Sequence, residues 1–186
     1  MSLAFISSWS LIRLSGFLAY FLLTLSLAFG LLARMMVFRK DKPLMLALHQ
    51  TSGWAGFLTI IFHSILLWKD AYVPYSLLEL VLPFSAQNAP ILSALGTLSF
   101  YLFLMTMAAS DFFIKKLGRS VWKRLHLLVI PAWLLMVLHG ILIGTDSTQP
   151  WAAFLYGGGF ILILALLALR YAETMLHTTA KKIHHE

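Results

Sequence analysis

Four histidines, His49, His63, His126 and His139, end two stretches that are otherwise almost wholly apolar, HQTSGWAGFLTIIFH and HLLVIPAWLLMVLH. An imidazole in hydrocarbon is costly unless something satisfies it, so each raises the expectation of a functional role. The members of the two pairs stand fourteen and thirteen positions apart, roughly 21 and 20 Å along a helix. Two helices running in the same direction would therefore set the four rings at two matched depths. Each depth offers two axial nitrogen ligands, which is what a six-coordinate bis-His haem requires. The spacing predicts two stacked b-type haems, one on His49 and His126 and one on His63 and His139.

Other chemistries fit less well. One histidine alone in a membrane helix reads as an interhelical hydrogen-bonding residue, but four at two matched depths go beyond that. A single metal ion cannot reach all four across a gap of roughly 20 Å, and neither level shows a third ligand. A proton relay needs closer polar stepping stones. Fourteen residues at about 100° each fall only about 40° short of four turns, so His49, Gly53, Gly56 and His63 form one stripe, with the glycines giving room to a flat macrocycle. Thirteen residues fall about 140° short. Pro131, between His126 and His139, therefore either marks a deformed helix, or the two haems meet that helix from different directions.

The elements that must position these rings are membrane helices. The 186 residues are 60% hydrophobic and 11% charged, with a mean hydropathy of +0.85, far from a soluble domain. Apolar stretches long enough for a hydrocarbon core of ~30 Å lie near 14–33, 44–68, 91–113, 121–143 and 151–170. An all-α bundle of five transmembrane helices is expected, forming one domain over 1–186. Pro43, Pro90, Ser120 and Pro150 supply helix-start chemistry. The first stretch runs straight into a basic loop and reads as a retained helix rather than a cleaved signal.

Charge sets the expected orientation. Arg34, Arg39, Lys40 and Lys42 follow the first helix; Lys115, Lys116, Arg119, Lys123 and Arg124 surround the start of the fourth; Arg170, Lys181 and Lys182 follow the fifth. Twelve of fourteen Lys and Arg thus share one side, leaving Arg13 and Lys69 on the other. The positive-inside rule places the N-terminus outside and the C-terminus in the cytoplasm. The expected location is the plasma membrane, a prokaryotic inner membrane. The net charge of +7 is a topology and lipid signal, with no nucleic-acid partner implied. The chain has no cysteine, which excludes disulfides, Cys-ligated clusters and covalent haem attachment.

Segments 69–89 and 171–186 are too short to house a cofactor-binding domain, which takes on the order of 100 residues. The first, KDAYVPYSLLELVLPFSAQNA, reads as an interfacial helix on the membrane surface, with a lid over an outer site as the sharper alternative. Gly157, Gly158 and Gly159 read as small residues that allow helices to approach. No phosphate-binding glycine motif, paired carboxylates or Ser–His–Asp set is present, so a hydrolase has no support.

The segment LGRSVWKRLHLLVIPAWLLMVLHGILIGTD, with W-K-R-L-H and H-G-x-x-x-G-T-D, resembles the second haem-ligand helix of the ferric reductase-like transmembrane domain family, which includes the membrane domains of NADPH oxidases and iron reductases. The resemblance implies bis-His ligation of haem iron by His49, His63, His126 and His139, and electron transfer from the cytoplasmic to the outer side. The additional N-terminal helix and the flavin and nicotinamide domain of the large reductases have no counterpart in these 186 residues. The implied donor is therefore a separate flavin-containing reductase or a quinone. The acceptors open to it are ferric iron, oxygen, a quinone or an outer-side redox protein such as a periplasmic methionine sulfoxide reductase. The alternative from another class is a non-redox transporter or structural subunit whose histidines pack helices.

Supporting roles have competing readings. Lys123 and Arg124, within a turn of His126, could hold inner-haem propionates or meet lipid headgroups. Phe57 and Trp133 either bridge the gap between haems or fill the core. Thr145 and Asp146 either line an acceptor entrance or cap a helix. His177, His184 and His185 read as solvated tail residues.

Overall fold

A computed structural model of the chain describes residues 7–183, with side chains placed through residue 176. His184 and His185 lie outside the described residues, as does the side chain of His177. Among the described residues seven helices form: α1 (Ser8–Leu32), α2 (Lys42–Trp68), α3 (Leu77–Val81), α4 (Pro90–Asp111), α5 (Ile114–His126), α6 (Val129–Ile143) and α7 (Pro150–Ile183). Five stretches are long and apolar enough to cross a membrane, α5 and α6 counting together as one. This is the expected all-α membrane bundle, and among the described residues there is no strand.

The bundle is organised around α1. Of its apolar stretch 44% is buried, against 17–22% for the other four, so it is the span that lipid touches least. Small and hydroxylated residues allow that position: Ser15, Ala19, Thr24, Ser26 and Ala28 are all buried where bulkier side chains would hold neighbours apart. The α2 side of the contact is equally close. A Cβ on Gly53 would meet Ser26 Oγ at 3.0 Å, and one on Gly56 would meet Leu23 Cγ at 2.7 Å. Tyr20 donates to the carbonyls of Leu155 and Tyr156 on α7, where Gly159 makes space for its hydroxyl. Gly157 and Gly158 face open space, so the expected close packing is the work of Gly159 alone.

Two further buried bonds fix α6. Trp133 Nε1 donates to Thr24 Oγ1 on α1 at 2.8 Å, and Ser99 Oγ on α4 donates to the Ala132 carbonyl at 2.8 Å. In membranes such bonds contribute about 0.6 kcal/mol each on average, so packing of the apolar core supplies most of the association. That core includes Tyr20, Leu23, Phe57, Phe103, Trp133 and Val137.

The ends are tied by charge. Arg13 Nε lies 2.6 Å from Asp146 Oδ2, joining the start of α1 to the α6–α7 loop. At the basic end Glu173 pairs with Arg170 at 3.0 Å and accepts from the Met36 amide at 2.6 Å. Between α2 and α4, Glu79 accepts from Ser76 N, Ser76 Oγ and Gln87 N at 2.8, 2.7 and 2.9 Å.

The expected single helix over 121–143 is divided. α5 begins at Ile114, Leu127 and Leu128 form a turn, and α6 begins at Val129. Pro131 gives the reason: it has no N–H to offer the Leu127 carbonyl and its ring crowds that oxygen. The chain tightens accordingly, with Leu128 N bonding to Leu125 O and Ile130 N to Leu127 O before Ala132 N to Leu128 O restores the α pattern. A second break falls at Gly118, whose φ of 72° suits glycine. The final helix continues past 170 to Ile183.

Candidate functional site

Each of the four histidines is held through Nδ1 by a neighbouring helix. On α2, His49 Nδ1 lies 2.8 Å from the Ser26 carbonyl and 3.0 Å from Ser26 Oγ. His63 Nδ1 lies 3.0 Å from both the Ile12 carbonyl and Ser15 Oγ. On α6, His139 Nδ1 lies 2.8 Å from the Leu92 carbonyl. On α5, His126 Nδ1 lies 3.2 Å from Ser110 Oγ.

The direction of these bonds follows from the partners. A carbonyl only accepts, so Nδ1 of His49, His63 and His139 carries the proton. The serines agree. Ser26 Oγ gives its hydrogen to the His49 carbonyl, Ser15 Oγ gives its hydrogen to the Ile12 carbonyl, and Ser110 Oγ gives its hydrogen to the Thr106 carbonyl. Ser110 therefore accepts from His126 Nδ1 and also from Trp122 Nε1 at 3.2 Å. A neutral imidazole protonated at Nδ1 has its lone pair on Nε2. Among the described residues nothing hydrogen-bonds any of the four Nε2 atoms. Metal-ligating histidines are held in this way, the second nitrogen donating to a carbonyl or another acceptor that fixes ring and tautomer.

The same bonds set the helix directions. α1 runs antiparallel to α2, since Ser26 serves His49 and Ile12 serves His63. α4 runs antiparallel to α5 and α6, since Ser110 serves His126 and Leu92 serves His139. The break at Leu127–Leu128 leaves both His126 and His139 turned to α4, the deformed-helix alternative.

Two of the four rings meet directly. The His49 and His126 ring centroids are 5.9 Å apart at 75°. Two imidazoles bound to one metal ion from opposite sides at roughly 2 Å each place their centroids about 6 Å apart. His63 and His139 lie within electrostatic reach of each other. Among the described residues no three His, Cys, Asp or Glu gather around a point.

Glycines lie behind three of the rings. A Cβ on Gly16 would stand 3.4 Å from His63 Cε1, one on Gly30 3.1 Å from His49 Nδ1, and one on Gly96 2.8 Å from His139 Cε1. Sequence reasoning singled out Gly53 and Gly56, which the structure places against Ser26 and Leu23 of α1. It missed Gly16, Gly30, Gly96, Ser15, Ser26 and Ser110. A signal was present: Gly16 to Gly30 and Gly96 to Ser110 repeat the fourteen-residue step of His49 to His63 on the partner helices.

The remaining candidates fall as follows. Lys123 and Arg124 are exposed, and Arg34 is a cation near His126. Trp122 lies over His126 with centroids 5.3 Å apart. Phe57 and Trp133 are buried in the core, Phe57 stacking on Phe100 at 5.6 Å and Trp133 on Phe160 at 6.0 Å. Asp146 is engaged by Arg13, and Thr145 is exposed.

Residues 15–137 match the family model described as ferric reductase like transmembrane component. The match takes in His49, His63 and His126 and ends two residues before His139. No solved structure matches.

Proposed function

We propose, for a chain that belongs to the ferric reductase-like transmembrane component family, that it conducts electrons across the membrane by way of two b haems, one held by His49 and His126 and the other by His63 and His139. Membership in the family points to transmembrane electron transfer and to an oxidoreductase-associated membrane component. One observation carries the finer reading: four separate acceptors use the Nδ1 protons of the four histidines and leave every Nε2 lone pair available. A b haem held by two of these imidazoles would supply a one-electron couple.

The chain's own residues do the rest. Ser26 and the carbonyls of Ser26, Ile12 and Leu92 hold three rings in one tautomer, and Ser110 holds the fourth. Arg34, Lys123 and Arg124 bring cations to the His49 and His126 level, where carboxylate substituents would be neutralised by charge-assisted bonds. Phe57, Phe100 and Trp133 keep the interior apolar and exclude water. The charge pattern puts that level on the cytoplasmic side, so a flavin-containing reductase or a quinone donates there. Ferric iron, oxygen or a redox protein accepts on the outer side of a plasma membrane, the inner membrane of a prokaryote.

The test is vectorial. Proteoliposomes with ferricyanide trapped inside, supplied with reduced flavin outside, are expected to reduce the trapped acceptor, while protein-free vesicles do not. Equal rates with and without protein would reject the conduit. Ser110→Ala refines the ligand assignment, because it leaves His126 Nδ1 and Trp122 Nε1 unpaired together. Loss of such a supporting partner typically weakens metal binding 10–100-fold, so haem at the His126 level is expected to pass to excess apomyoglobin faster by roughly that factor. Wild-type retention would show that Ser110 does not support a ligand.

A further inference from the structure

Between Asp70 and Asp111 the sequence carries a single charged residue, Glu79. An aqueous loop turns charge outward and apolar side chains inward. Here the reverse holds. Glu79 is spent on the amides of Ser76 and Gln87, while Leu77, Leu78, Val81, Leu82 and Phe84 are 52–65% exposed.

The segment also reaches deep along a spanning helix. Tyr75 meets Ser93 near the start of α4 at 3.2 Å, Thr97 Oγ1 donates to the Leu80 carbonyl at 3.4 Å, and the Tyr101 hydroxyl donates to the Val81 carbonyl. Thr97 and Tyr101 lie about 10 and 16 Å along α4 from Pro90. A helical tyrosine leans back toward the helix N-terminus, yet Val81 still sits well below the start of α4. Thr97 adjoins Gly96, which packs on His139. α3 therefore stands at the level of the second histidine pair.

Backbone at such a depth needs partners other than water, and several groups of this segment have them. Ser85 Oγ bonds the carbonyls of Leu78 and Leu82, Leu80 N bonds Ser76 O and Leu82 N bonds Leu78 O. With Glu79, Thr97 and Tyr101, side chains take over groups that a surface loop leaves to solvent.

We infer that residues 77–84 form a re-entrant hairpin embedded in the leaflet opposite the basic end of the bundle, its partner being lipid acyl chains. It is neither a soluble loop nor a helix resting on the membrane surface. The adjoining α4 also exposes apolar side chains at two depths, Ile91 at 66% and Leu104 at 42%. The inference needs only the membrane spans and stands apart from the haem assignment.

The chain has no cysteine, so single spin labels report cleanly. Leu78→Cys and Val81→Cys, labelled and reconstituted in phosphatidylcholine vesicles, are expected to collide readily with oxygen and several-fold less with a water-soluble nickel chelate than a label at Asn88→Cys. Leu104→Cys provides the lipid-facing reference. Glu79→Ala, combined with Val81→Cys, frees the two amides and is expected to raise nickel collisions toward the Asn88 level. Chelate access at Leu78 and Val81 equal to that at Asn88 would overturn the inference in favour of an aqueous loop. Protection from both reagents would overturn it in favour of a protein cover, such as a second copy of this chain.

Discussion

His63→Ala is expected to halve the haem content, from about two b haems per chain to one, and to abolish reduction of a trapped acceptor. The reason lies in the pairing. His63 shares its level with His139, while His49 and His126 stand as a separate pair with ring centroids 5.9 Å apart and with their own serine partners, Ser26 and Ser110. The remaining haem keeps both ligands, so its low-spin spectrum should persist while the route across the membrane is cut. The measurement is a pyridine haemochrome ratio together with the vesicle assay. Unchanged haem content and transfer in this variant would reject the ligand assignment.

Gly96→Ala tests the same level without replacing a proposed ligand. The added methyl would stand 2.8 Å from His139 Cε1, 2.9 Å from Nδ1 and 3.1 Å from Nε2, against a ring anchored by its bond to the Leu92 carbonyl. Either the ring moves and loses its direction or α4 moves and disturbs the Ser99 to Ala132 bond. Overpacking of this kind costs about 1–3 kcal/mol, and here the strain falls on a ring proposed to hold haem. Loss of the haem at the His139 level with the helical fold retained is the expected outcome. The effect should be graded: Gly30→Ala meets His49 at 3.1 Å and Gly16→Ala meets His63 at 3.4 Å, an ordinary contact. Gly96→Ala should therefore lose most haem and Gly16→Ala least. Equal behaviour of the three would contradict the view that these glycines set ring positions.

The five spans were legible because a run of about 20 apolar residues has few alternatives to crossing a bilayer. The proximity of His49 and His126 was legible from nearly equal spacings, fourteen and thirteen, in helices inferred to be parallel from their charges. The break between α5 and α6 was visible only as a mismatch: an ideal helix turns His126 and His139 about 140° apart, and Pro131 showed where the winding could change but not how. The acceptors of the ring protons were not legible. Three are main-chain carbonyls, of Ser26, Ile12 and Leu92, which every residue possesses, so no residue type announces them. The central place of α1 was hidden for a related reason, since its serines and glycines matter by being small and their composition resembles that of any span. The outer segment was recognised as apolar, while its depth rests on Thr97 and Tyr101, whose roles depend on long-range packing.

The account rests on four Nε2 lone pairs being there to bind iron. The measurement that tests this most directly is a dithionite-reduced minus oxidised optical spectrum of the detergent-purified protein, with its haem-to-protein ratio, after expression with ample haem. Sharp low-spin b-type bands and a ratio near two are predicted. A protein that folds and purifies without haem would contradict the account and leave the four histidines as residues that join helices.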